Sequence, residues 1–460
     1  MPSAKNAIVI GGGISGLACA FRLQQQGIPV TLLEGSDRVG GLVGTVERGG
    51  HLFESGPQSF QRSDILAELV RQLGIEDRLL KADPRARRFI LRNGRLQGIP
   101  MSPQGLILSS LLGPRSRWKV ISEMLRRTKP PVKEESVANF VRRKFGYEIL
   151  EYVVAPFVSG VYAGDPERLS LSAAFPSLDE WERKHGSVLL GAMKSRPPKR
   201  SRKGPPLLCS FRGGIATLPE AIGAKLGAQV RTNARAVSVV RNGVQLGSAY
   251  KIGSNIEGNQ HTLEAGAIVF ATPADAAGKL IRPISRLLGE SLSEIEYAPV
   301  AVVAAAYRRQ QIGQPLEGFG VLIPRREKLR TLGIVWNSSL FPGQAPDGTF
   351  VLTSFVGGAT DPEIVSKTED EIAAIVHDEA ARTLGITGPP VETAAWRHSK
   401  ALPQYNLGHW RIVEAIREEE RKLPGLFFVG NYLDGASLAK CVEQGFRTAE
   451  DVKTYIKSSP

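Results

Sequence analysis

The chain opens with a glycine-rich turn between a short apolar run and a helical pattern. Ala7–Ile10 is β-prone, residues 11–16 read G-G-G-I-S-G, and Leu17–Gln26 has the apolar spacing of a helix. A second β-prone run follows at Ile28–Leu33. The order strand, G-x-G-x-x-G, helix, strand is the fingerprint of a β-α-β unit that binds a dinucleotide. Such a unit requires a parallel sheet covered by helices, so we expect an α/β fold.

The glycines of this turn serve different purposes. Gly11 permits the tight turn, Gly13 lets the backbone approach a pyrophosphate, and Gly16 allows the helix to pack closely on the strand. The N-terminus of the helix adds unpaired N–H groups and the positive end of the helix dipole, and both attract phosphate. The residues predicted to form this phosphate site are Gly11, Gly12, Gly13, Ile14, Ser15 and Gly16.

Two further elements follow the second strand. Glu34 ends it and is placed to accept hydrogen bonds from ribose hydroxyls. Arg38, Gly40 and Gly41 then form an R-x-G-G motif, which resembles the second phosphate-contacting element of flavoproteins of the amine oxidase superfamily. Leu42 stands where those proteins often have Arg, so one phosphate contact is absent from this sequence.

The C-terminal segment 425–438 predicts a strand, a glycine turn at Gly430 and Asn431, and a helix that begins near Ala436, Ser437 and Leu438. The N-terminus of such a helix can direct its positive dipole at the anionic N1–C2=O edge of a reduced flavin. Three separate elements thus fit one FAD. We expect noncovalent binding, because no Cys or His lies in a covalent flavin-attachment motif.

Charge and cysteine usage exclude several other classes. Lys plus Arg number 59 against 45 Asp plus Glu, and this net charge of +14 favours anionic partners. The cysteines at 19, 209 and 441 form no C-x-x-C pair, and the six His lack metal-ligand spacing. We therefore expect no protein-bound metal and a reducing compartment. The apolar run that begins almost at once belongs to the fold and is not read as a leader segment.

The middle of the chain alternates helical and β-prone regions. The stretch before about Pro84 reads as irregular, and a helix-rich region is predicted from about Pro103 to Lys184. A basic, proline-containing linker follows at Lys194–Lys203. Beyond it lie β-prone segments and an amphipathic helix, Glu369–Leu384. The β-prone segments are Val230–Val240, Ala267–Phe270, Val300–Ala306, Gly320–Ile323 and Phe350–Phe355.

An apolar segment inside the helix-rich region is a candidate for membrane contact. Leu106–Leu112 is followed by the basic residues Arg115, Arg117 and Lys119, a pattern that suits a segment lying on a membrane interface. A buried helix beside a solvated basic turn fits the same pattern. No stretch is apolar over the roughly 18 residues that a membrane-spanning helix needs.

Five further blocks resemble the oxygen-dependent protoporphyrinogen oxidases, a family of FAD enzymes of haem and chlorophyll synthesis, nearly from end to end. The 156–166 and 315–324 blocks are quite specific to that family. The blocks are E-S-G-P-Q-S-F at 54–60, R-F-I-L-R-N-G at 88–94, P-F-V-S-G-V-Y-A-G-D-P at 156–166, S-F-R-G-G-I-A-T-L-P at 210–219 and P-L-E-G-F-G-V-L-I-P at 315–324.

The resemblance implies a set of substrate residues. Arg88 matches an arginine that holds a propionate of the tetrapyrrole, and a guanidinium suits a carboxylate in a dry cleft. Without the family match, Arg88 reads as one charge of a basic surface run. Leu322 and Phe341 match apolar positions that pack on the macrocycle, although both also fit core positions. Gly164 matches a glycine whose backbone lines the cleft.

The resemblance also extends the cofactor site beyond the three phosphate and ring elements. Gln58 occupies a position near the isoalloxazine where family members carry various residues, so no acid–base role is assigned to it. No Ser/His/Asp or paired-carboxylate constellation is present. We therefore expect no catalytic side chain, with hydride passing to flavin N5. The additional cofactor residues are Gly56, Pro57, Gln58, Ser59, Val237 and Trp396.

The predicted architecture is a two-domain α/β flavoprotein with a Rossmann-type FAD unit. Residues 1–85, 205–275 and 410–460 form the FAD-binding domain, and 95–204 a helical, membrane-facing region. A mixed sheet in residues 276–409, together with 86–94, forms the substrate domain.

The implied function is six-electron oxidation of protoporphyrinogen IX to protoporphyrin IX, with O₂ as acceptor and peroxide as by-product. Coproporphyrinogen III, with four propionates, is the alternative substrate, and it suits the basic balance at least as well. A flavin amine oxidase or carotenoid desaturase is the more distant alternative, and a nucleic-acid or acidic-lipid binder using the basic linker is disfavoured.

The expected partners are the porphyrinogen, O₂ and membrane lipid, without nucleic acid. The protein is expected to be cytoplasmic and peripherally membrane-associated. A homodimer is compatible with the sequence.

Overall fold

A computed structural model describes residues 5–100, 105, 109, 111–127, 130–195, 207–241 and 250–458. The strands are β1 (Ala7–Ile10), β2 (Val30–Leu33), β3 (Thr45–Arg48), β4 (His51–Glu54), β5 (Phe60–Gln61), β6 (Leu79–Lys81), β7 (Arg88–Arg92), β8 (Arg95–Gly98), β9 (Leu208–Phe211), β10 (Val230–Arg231), β11 (Ala234–Arg241), β12 (Tyr250–Ile256), β13 (Asn259–Ala265), β14 (Ala267–Phe270), β15 (Tyr297–Arg308), β16 (Gly320–Leu322), β17 (Thr331–Val335), β18 (Thr349–Gly357), β19 (Glu392–Pro403) and β20 (Leu426–Phe428).

The α-helices are α1 (Ile14–Gln25), α2 (Asp64–Leu73), α3 (Pro114–Leu125), α4 (Val137–Lys144), α5 (Tyr147–Ile149), α6 (Ala155–Tyr162), α7 (Leu171–Ala174), α8 (Pro176–His185), α9 (Val188–Lys194), α10 (Thr217–Leu226), α11 (Ala274–Ile281), α12 (Arg286–Ser293), α13 (Asn337–Leu340), α14 (Glu369–Leu384), α15 (His409–Arg421), α16 (Asn431–Asp434) and α17 (Leu438–Ser458). Short 3₁₀ segments lie at Glu76–Arg78, Gly227–Gln229, Arg309–Gln311, Arg325–Glu327 and Pro362–Ser366, and a π-helical turn at Leu150–Val154 precedes α6.

A five-stranded parallel sheet organises the part that carries the glycine motif. Its strand order is β10-β2-β1-β14-β20, and β1 lies at its centre. The side chains of β1 and β14 are completely buried because helices cover both faces. Helices α1, α2, α10 and α17 pack on one face, and α11, α12 and α15 pack on the other. The prediction of an α/β fold with a parallel sheet is confirmed.

A seven-stranded mixed sheet forms the second large element, in the order β19-β15-β18-β17-β16-β7-β8. All pairs are antiparallel except β16 with β7. Helix α14 covers one face, where Ile372 and Val376 pack on Ala301 and Val303. The opposite face looks toward β4 and the helical region, through contacts with Phe53 and Ala163.

Helices α3 to α9 pack together as a separate helical region around Val137, Phe140 and Val158. An ion network is buried among them. Lys144 Nζ lies 2.8 Å from Glu182 Oε1 and 3.6 Å from Glu123 Oε1. Glu123 in turn accepts a hydrogen bond from the Val188 N–H, at 2.8 Å, at the start of α9. A buried charge needs partners of this kind, so the network fixes how these helices sit against one another.

Several sequence predictions need correction. The stretch 45–81 is regular: it holds β3 to β6 and α2, a helix that Ser63 caps and that Gly74 ends at φ +72°. Ser63 and Gly74 are start and stop signals of the usual kind for a helix. Residues 95–98 form β8 of the mixed sheet, so they do not begin the helical region.

Only part of the membrane segment predicted from the sequence, Leu106–Leu112, is described by the structure. Leu111 and Leu112 are 1% and 2% exposed, inside the protein, and residues 106–108 and 110 lie outside the described residues. Most of the basic linker, residues 196–203, is likewise outside them. Within the described ranges, no helix is both long and apolar enough to cross a bilayer.

Candidate functional site

Gly11, Gly13 and Gly16 lie in the turn between β1 and α1 or at the start of α1. Of these three, only Gly13 borders open space. A Cβ on Gly11, whose φ is +112°, would lie 2.7 Å from the Ala271 carbonyl oxygen, and one on Gly16 would lie 2.0 Å from the Gly11 oxygen. A Cβ on Gly13 would meet nothing within 4 Å. Gly11 and Gly16 are therefore set by packing inside the protein, whereas Gly13 faces a space that a ligand can fill. This cradle fits the pyrophosphate of a dinucleotide.

Glu34 and the R-x-G-G loop close around the same turn. The Glu34 carboxylate accepts hydrogen bonds from the Gly12 N–H, at 2.7 Å, and the Ser36 N–H, at 2.8 Å. Gly40 donates its N–H to the Gly12 oxygen at 2.8 Å, and a Cβ on Gly41 would lie 3.4 Å from Gly13 Cα. The loop is thus held directly beside the open side of the cradle.

Arg38 stabilises this loop through backbone contacts. Its guanidinium donates to the carbonyl oxygens of Val39, Gly41 and Val43, at 3.2, 3.0 and 3.0 Å. Because these bonds occupy the two terminal nitrogens, Arg38 holds the shape of the loop 39–43 and keeps Leu42 facing the segment that follows β4.

The adenosine end of the predicted cofactor site adjoins an open cavity of about 480 Å³. Gly35 and Val237 line it, with Asn233 and Arg235 between them. Val237, on β11, is 54% exposed, which is unusual for an apolar strand residue inside a folded domain. The structure therefore brings Val237 to the loop that carries Glu34, at the end of β2.

The C-terminal segment reaches the cradle from the other side. Ser437 caps α17 by accepting the Lys440 N–H at 3.3 Å, and Asn431 accepts a hydrogen bond from the Tyr405 hydroxyl at 2.5 Å. A Cβ on Gly445 would lie 2.6 Å from the Ser15 oxygen, so α17 crosses α1 in close contact. The N-termini of the two helices therefore lie at the same end of the parallel sheet.

Gly56, Pro57, Gln58 and Ser59 lie between the R-x-G-G loop and the mixed sheet. A Cβ on Gly56 would approach the Leu42 oxygen to 2.1 Å, so the two loops touch. Gln58 is 6% exposed, donates to the Gly56 oxygen at 2.8 Å and accepts a hydrogen bond from Asn337. The contacts run without a break from Gly13 to the mixed sheet.

A buried acid anchors the strand that leads into this loop. Glu54 accepts the Thr45 hydroxyl at 2.6 Å and the Ile215 N–H at 3.0 Å. Thr45 in turn accepts the Ala216 N–H at 3.0 Å. The blocks 54–60 and 210–219 are thereby joined. Burial raises the pKa of Glu54 to about 7, against the smaller opposing effect of these two hydrogen bonds.

A row of directly opposed residues crosses the mixed sheet on the face that looks toward β4 and the helical region. Opposed residues of neighbouring strands share a face, so the register defines the row. We call it the cross-strand row: Trp396, Val302, Phe355, Gly333, Leu322 and Ile90.

The cross-strand row is only partly covered. Trp396, Phe355 and Leu322 are half-buried, although Phe355 lies on a central strand where sheet neighbours and a covering layer normally exclude water. The opposite face under α14 is closed. Apolar surface therefore remains accessible on part of the row, between the mixed sheet and the layers that face it, and we call this place the candidate cleft.

The four predicted substrate residues do not all lie at the cross-strand row. Leu322 belongs to the row, and a Cβ on Gly160 of α6 would lie 2.5 Å from its Cδ2. Arg88 lies two residues before Ile90 and therefore on the same face, with its guanidinium carbon 5.5 Å from the centre of the Phe319 ring. Gly164 is buried beside Gln404, two residues beyond the end of α6.

Phe341 does not reach the cleft. It is completely buried in a cluster with Ala82 and Leu340, so its side chain has no surface that a substrate could touch. Of the two readings that the sequence left open, the structure places Phe341 in the core.

Other residues of this region gave no sequence signal. Phe355 and Gly160 reach the cleft through strand register and helix packing. The alternation of side chains along β19 could have indicated His398 as a site residue, because His398 lies on the same face of the strand as Trp396. In the described residues, no group of three or more acidic, His or Cys side chains is arranged to hold a metal ion.

The chain is similar to known proteins over nearly its whole length. The family model for flavin containing amine oxidoreductases matches residues 14–453. The chain is 34% identical to protoporphyrinogen oxidase 1 from Spinacia oleracea over 98% of this chain and 84% of the relative. It is 29% identical to coproporphyrinogen III oxidase from Bacillus subtilis over 99% of both chains. A crystal structure from Exiguobacterium sp. 255-15, provisionally assigned as a protoporphyrinogen oxidase, has the same fold, with a TM-score of 0.83, 24% identity and coverage of 99% and 100% of the two chains.

Gly13→Val tests the pyrophosphate cradle. We expect loss of bound FAD with an unchanged unfolding temperature of the apoprotein, because the new side chain enters open space. Gly98→Val is the matched control, since a Cβ there also meets nothing within 4 Å but lies far along the sequence on β8. The ratio of flavin absorbance to protein measures the effect. Full flavin occupancy in a folded Gly13→Val variant would contradict the assignment.

Glu54→Gln tests the buried acid. The folded state raises the pKa of Glu54 from 4.5 to about 7, so its contribution, at most about 3 kcal/mol, is present below pH 4.5 and is lost as pH rises through 7. The free energy of unfolding of the parent should therefore fall across this window relative to that of the variant. Urea unfolding at several pH values measures it, with exposed Glu47→Gln on β3 as control. Parallel curves for parent and Glu54→Gln would show that Glu54 does not titrate in this range.

Proposed function

Because the chain belongs to the flavin containing amine oxidoreductases, and within them to the protoporphyrinogen oxidase group, we propose that it oxidises protoporphyrinogen IX to protoporphyrin IX. FAD is its cofactor. The observation that carries the proposal is the partly covered cross-strand row, which forms an apolar floor with Arg88 on the same face. A flat macrocycle with few charges suits such a floor.

Different residues of the chain would bind the cofactor and the substrate. Gly13, the R-x-G-G loop and Glu34 would hold the pyrophosphate and ribose of FAD, and the loop 55–58 would lie beside its ring. Leu322 and Phe355 would pack on the macrocycle and exclude water from the cleft. Bound FAD supplies an acceptor for the hydride that leaves a bridge carbon of the porphyrinogen. Placement of the ring is then the main contribution of the protein.

The overall reaction removes six electrons and six protons from the porphyrinogen in three rounds. With O₂ as the final acceptor, three O₂ are reduced to three H₂O₂. Pyrrole N–H protons leave to solvent, so the reaction needs no strongly basic side chain.

The charges near the row favour protoporphyrinogen over coproporphyrinogen. Arg88, Ile90 and Arg92 share one face of β7. Arg92 already contacts Glu148, at 3.6 Å, and stacks on Tyr152 with its guanidinium carbon 4.3 Å from the ring centre. Protoporphyrinogen carries two propionates and coproporphyrinogen carries four, and the apolar side chains of the cross-strand row suit the substrate with fewer charges.

We also propose that the protein attaches to anionic membranes through α3. Trp118, Ile121 and Leu125 are 65%, 40% and 78% exposed, and their spacing places them on one face of this helix. Exposed Arg115 and Arg126 lie at the two ends of the helix. Apolar side chains flanked by cations fit the interface of an anionic bilayer.

The basic residues named from the sequence contribute less than expected to this surface. Arg117 donates to the carbonyl oxygens of Leu112 and Ser109, at 2.9 and 2.8 Å, and Lys119 donates to the Arg142 oxygen at 2.8 Å. These contacts hold α3 to neighbouring backbone. The surface proposed for the membrane is therefore the exposed face of α3, in place of Leu106–Leu112.

Arg88→Ala tests the substrate site. Loss of a charged hydrogen bond of about 1.5–3 kcal/mol should raise KM for protoporphyrinogen roughly 10- to 100-fold, with a smaller change in kcat. Arg88→Lys should recover part of the loss, because it restores the charge without the planar fork. Arg87→Ala is the matched control, since Arg87 stacks on Phe89, whose side chain points to the other face of β7.

Porphyrin fluorescence with protoporphyrinogen and coproporphyrinogen, each assayed separately, gives these constants. An Arg88→Ala variant with parental kcat/KM and full FAD would remove Arg88 from the site. A parental enzyme that prefers coproporphyrinogen would overturn the choice of substrate.

Trp118→Ser/Leu125→Ser tests the membrane surface. Each exposed apolar side chain contributes about 1.5 kcal/mol or more on burial, so the double variant should float with vesicles at least tenfold less than the parent. Leu287→Ser, at a 64% exposed position on α12, is the control. Flotation compares vesicles of phosphatidylglycerol with phosphatidylcholine and vesicles of phosphatidylcholine alone. Equal recovery of parent and double variant with the anionic vesicles would contradict the proposal.

A further inference from the structure

The loop Ser55–Gln58 is tied to the mixed sheet at both ends. His398 Nε2 donates a hydrogen bond to the Ser55 carbonyl oxygen at 2.7 Å, and Asn337 Nδ2 donates one to Gln58 Oε1. His398 lies on β19, and Asn337 begins α13 directly after β17. One contact therefore comes from a strand and the other from the helix that follows a different strand, and together they bracket Gly56 and Pro57.

The opposite side of the loop is held by the FAD-side part of the chain. The Ser55 N–H donates to the Gly44 oxygen at 2.9 Å, and Gly56 has no room for a Cβ against the Leu42 oxygen. The loop is consequently clamped between the segment after the R-x-G-G motif and the mixed sheet. Any change in its sheet-side contacts would alter the distance between these two parts.

The amide pair of Gln58 and Asn337 has a defined orientation. Gln58 donates through Nε2 to the Gly56 oxygen at 2.8 Å, so its Oε1 must face Asn337, and Asn337 must present its Nδ2. Asn337 is completely buried and Gln58 is 6% exposed, so water does not compete for this bond.

This arrangement is not optimal for stability alone. Asn337 Oδ1 is buried and has no hydrogen-bond partner within the described residues. A buried acceptor without a donor is unfavourable, and an apolar residue at this position would avoid that cost. We therefore attribute the presence of Asn337 to the position in which it holds the Gln58 side chain.

We propose that Asn337 and His398 are positioning residues that fix the loop Ser55–Gln58 relative to the cross-strand row, and thereby set the distance between the flavin ring and the porphyrinogen. The inference rests on the proposed function, which assigns this loop to the flavin side and the row to the substrate. His398 is two residues beyond Trp396 and shares its face of β19, so it links the loop to one end of the row. Asn337 links it to the strand that carries Gly333.

Asn337→Ala and His398→Ala test this role. Under anaerobic conditions, reduction of the bound flavin by protoporphyrinogen should slow about 10- to 100-fold, because a shift of the order of 1 Å misplaces the reacting atoms. Reduction by dithionite, which needs no contact with the row, should stay within about twofold of the parent, as should FAD content. Stopped-flow absorbance of the flavin measures both rates.

Two neighbouring serines provide matched controls. Ser339 lies on the same short helix as Asn337 and bonds to the Leu316 oxygen, and Ser399 follows His398 at an exposed position. Neither contacts the loop through any hydrogen bond in the described structure. Ser339→Ala and Ser399→Ala should reduce at the parental rate with both reductants.

A double variant in which Gln58 and Asn337 exchange their amide side chains distinguishes a positioning role from a general effect on stability. Gln58→Asn shortens one amide arm and Asn337→Gln lengthens the other, so each single variant should be slow with protoporphyrinogen. The double variant restores one amide pair of the same overall length and should recover most of the rate. Double-mutant coupling of this kind measures the contact itself. Additive losses in the double variant would overturn the role of the pair.

Hydrogen exchange of the peptide covering 55–60 gives a readout without substrate. Its amides should exchange faster in Asn337→Ala and His398→Ala, and at the parental rate in the serine controls. Unchanged exchange together with parental reduction by protoporphyrinogen would overturn the proposal, as would losses of FAD or of unfolding temperature that account for the slower rate. If neither porphyrinogen reduces the parental flavin, the proposed function fails, while exchange still decides whether the two residues hold the loop.

Discussion

Close backbone contact between α1 and its surroundings is the constraint on which the cofactor side of the molecule depends. Gly16 packs against the Gly11 oxygen, and Gly445 of α17 packs against the Ser15 oxygen, at separations that exclude any Cβ. These contacts bring the N-termini of two helices to one end of the parallel sheet. Their unpaired N–H groups and helix dipoles converge there, which is the arrangement that an anionic dinucleotide requires. Gly13 is the exception that leaves room for the ligand, because a Cβ there meets no protein atom.

Short polar contacts join the cofactor side to the substrate side, in addition to the apolar contact of Phe53 with the mixed sheet. Glu54 ties the β4 strand to the turn at Ile215, and the next four residues form the loop between the R-x-G-G segment and the mixed sheet. Each contact uses a backbone group or a buried amide, so its geometry is tightly defined. This explains how a loop without regular structure can hold a defined position between two large sheets.

Local patterns predicted the parts of the fold that depend on local chemistry. The β-α-β unit, the amphipathic α14 and the long α17 follow from glycine placement and apolar spacing, and the parallel sheet followed from them. The cross-strand row could not be predicted, because Phe355 and Leu322 become neighbours of Gly333 only through strand register. Phe341 shows the same limit, since a family match fixes the residue type but not which way the side chain packs. The short strands between 45 and 81 and the cap of α2 were missed, although Ser63 and Gly74 did carry a signal.

The positions of the basic residues, more than their number, determine which of them can bind an anionic ligand. The excess of +14 suggested anionic partners, yet several of the cations singled out from the sequence bind backbone carbonyl groups of the chain itself. Arg38 holds three carbonyl groups of its own loop, and Arg117 and Lys119 anchor α3. Such side chains still contribute to the long-range field, but they are not available as ligands without loss of a structural contact. Arg88 lies on the same face of β7 as Ile90 of the cross-strand row, which is the face proposed to bind the substrate. The proposed role of Arg88 in substrate binding therefore depends on the strand face that it occupies and not on the net charge of the chain.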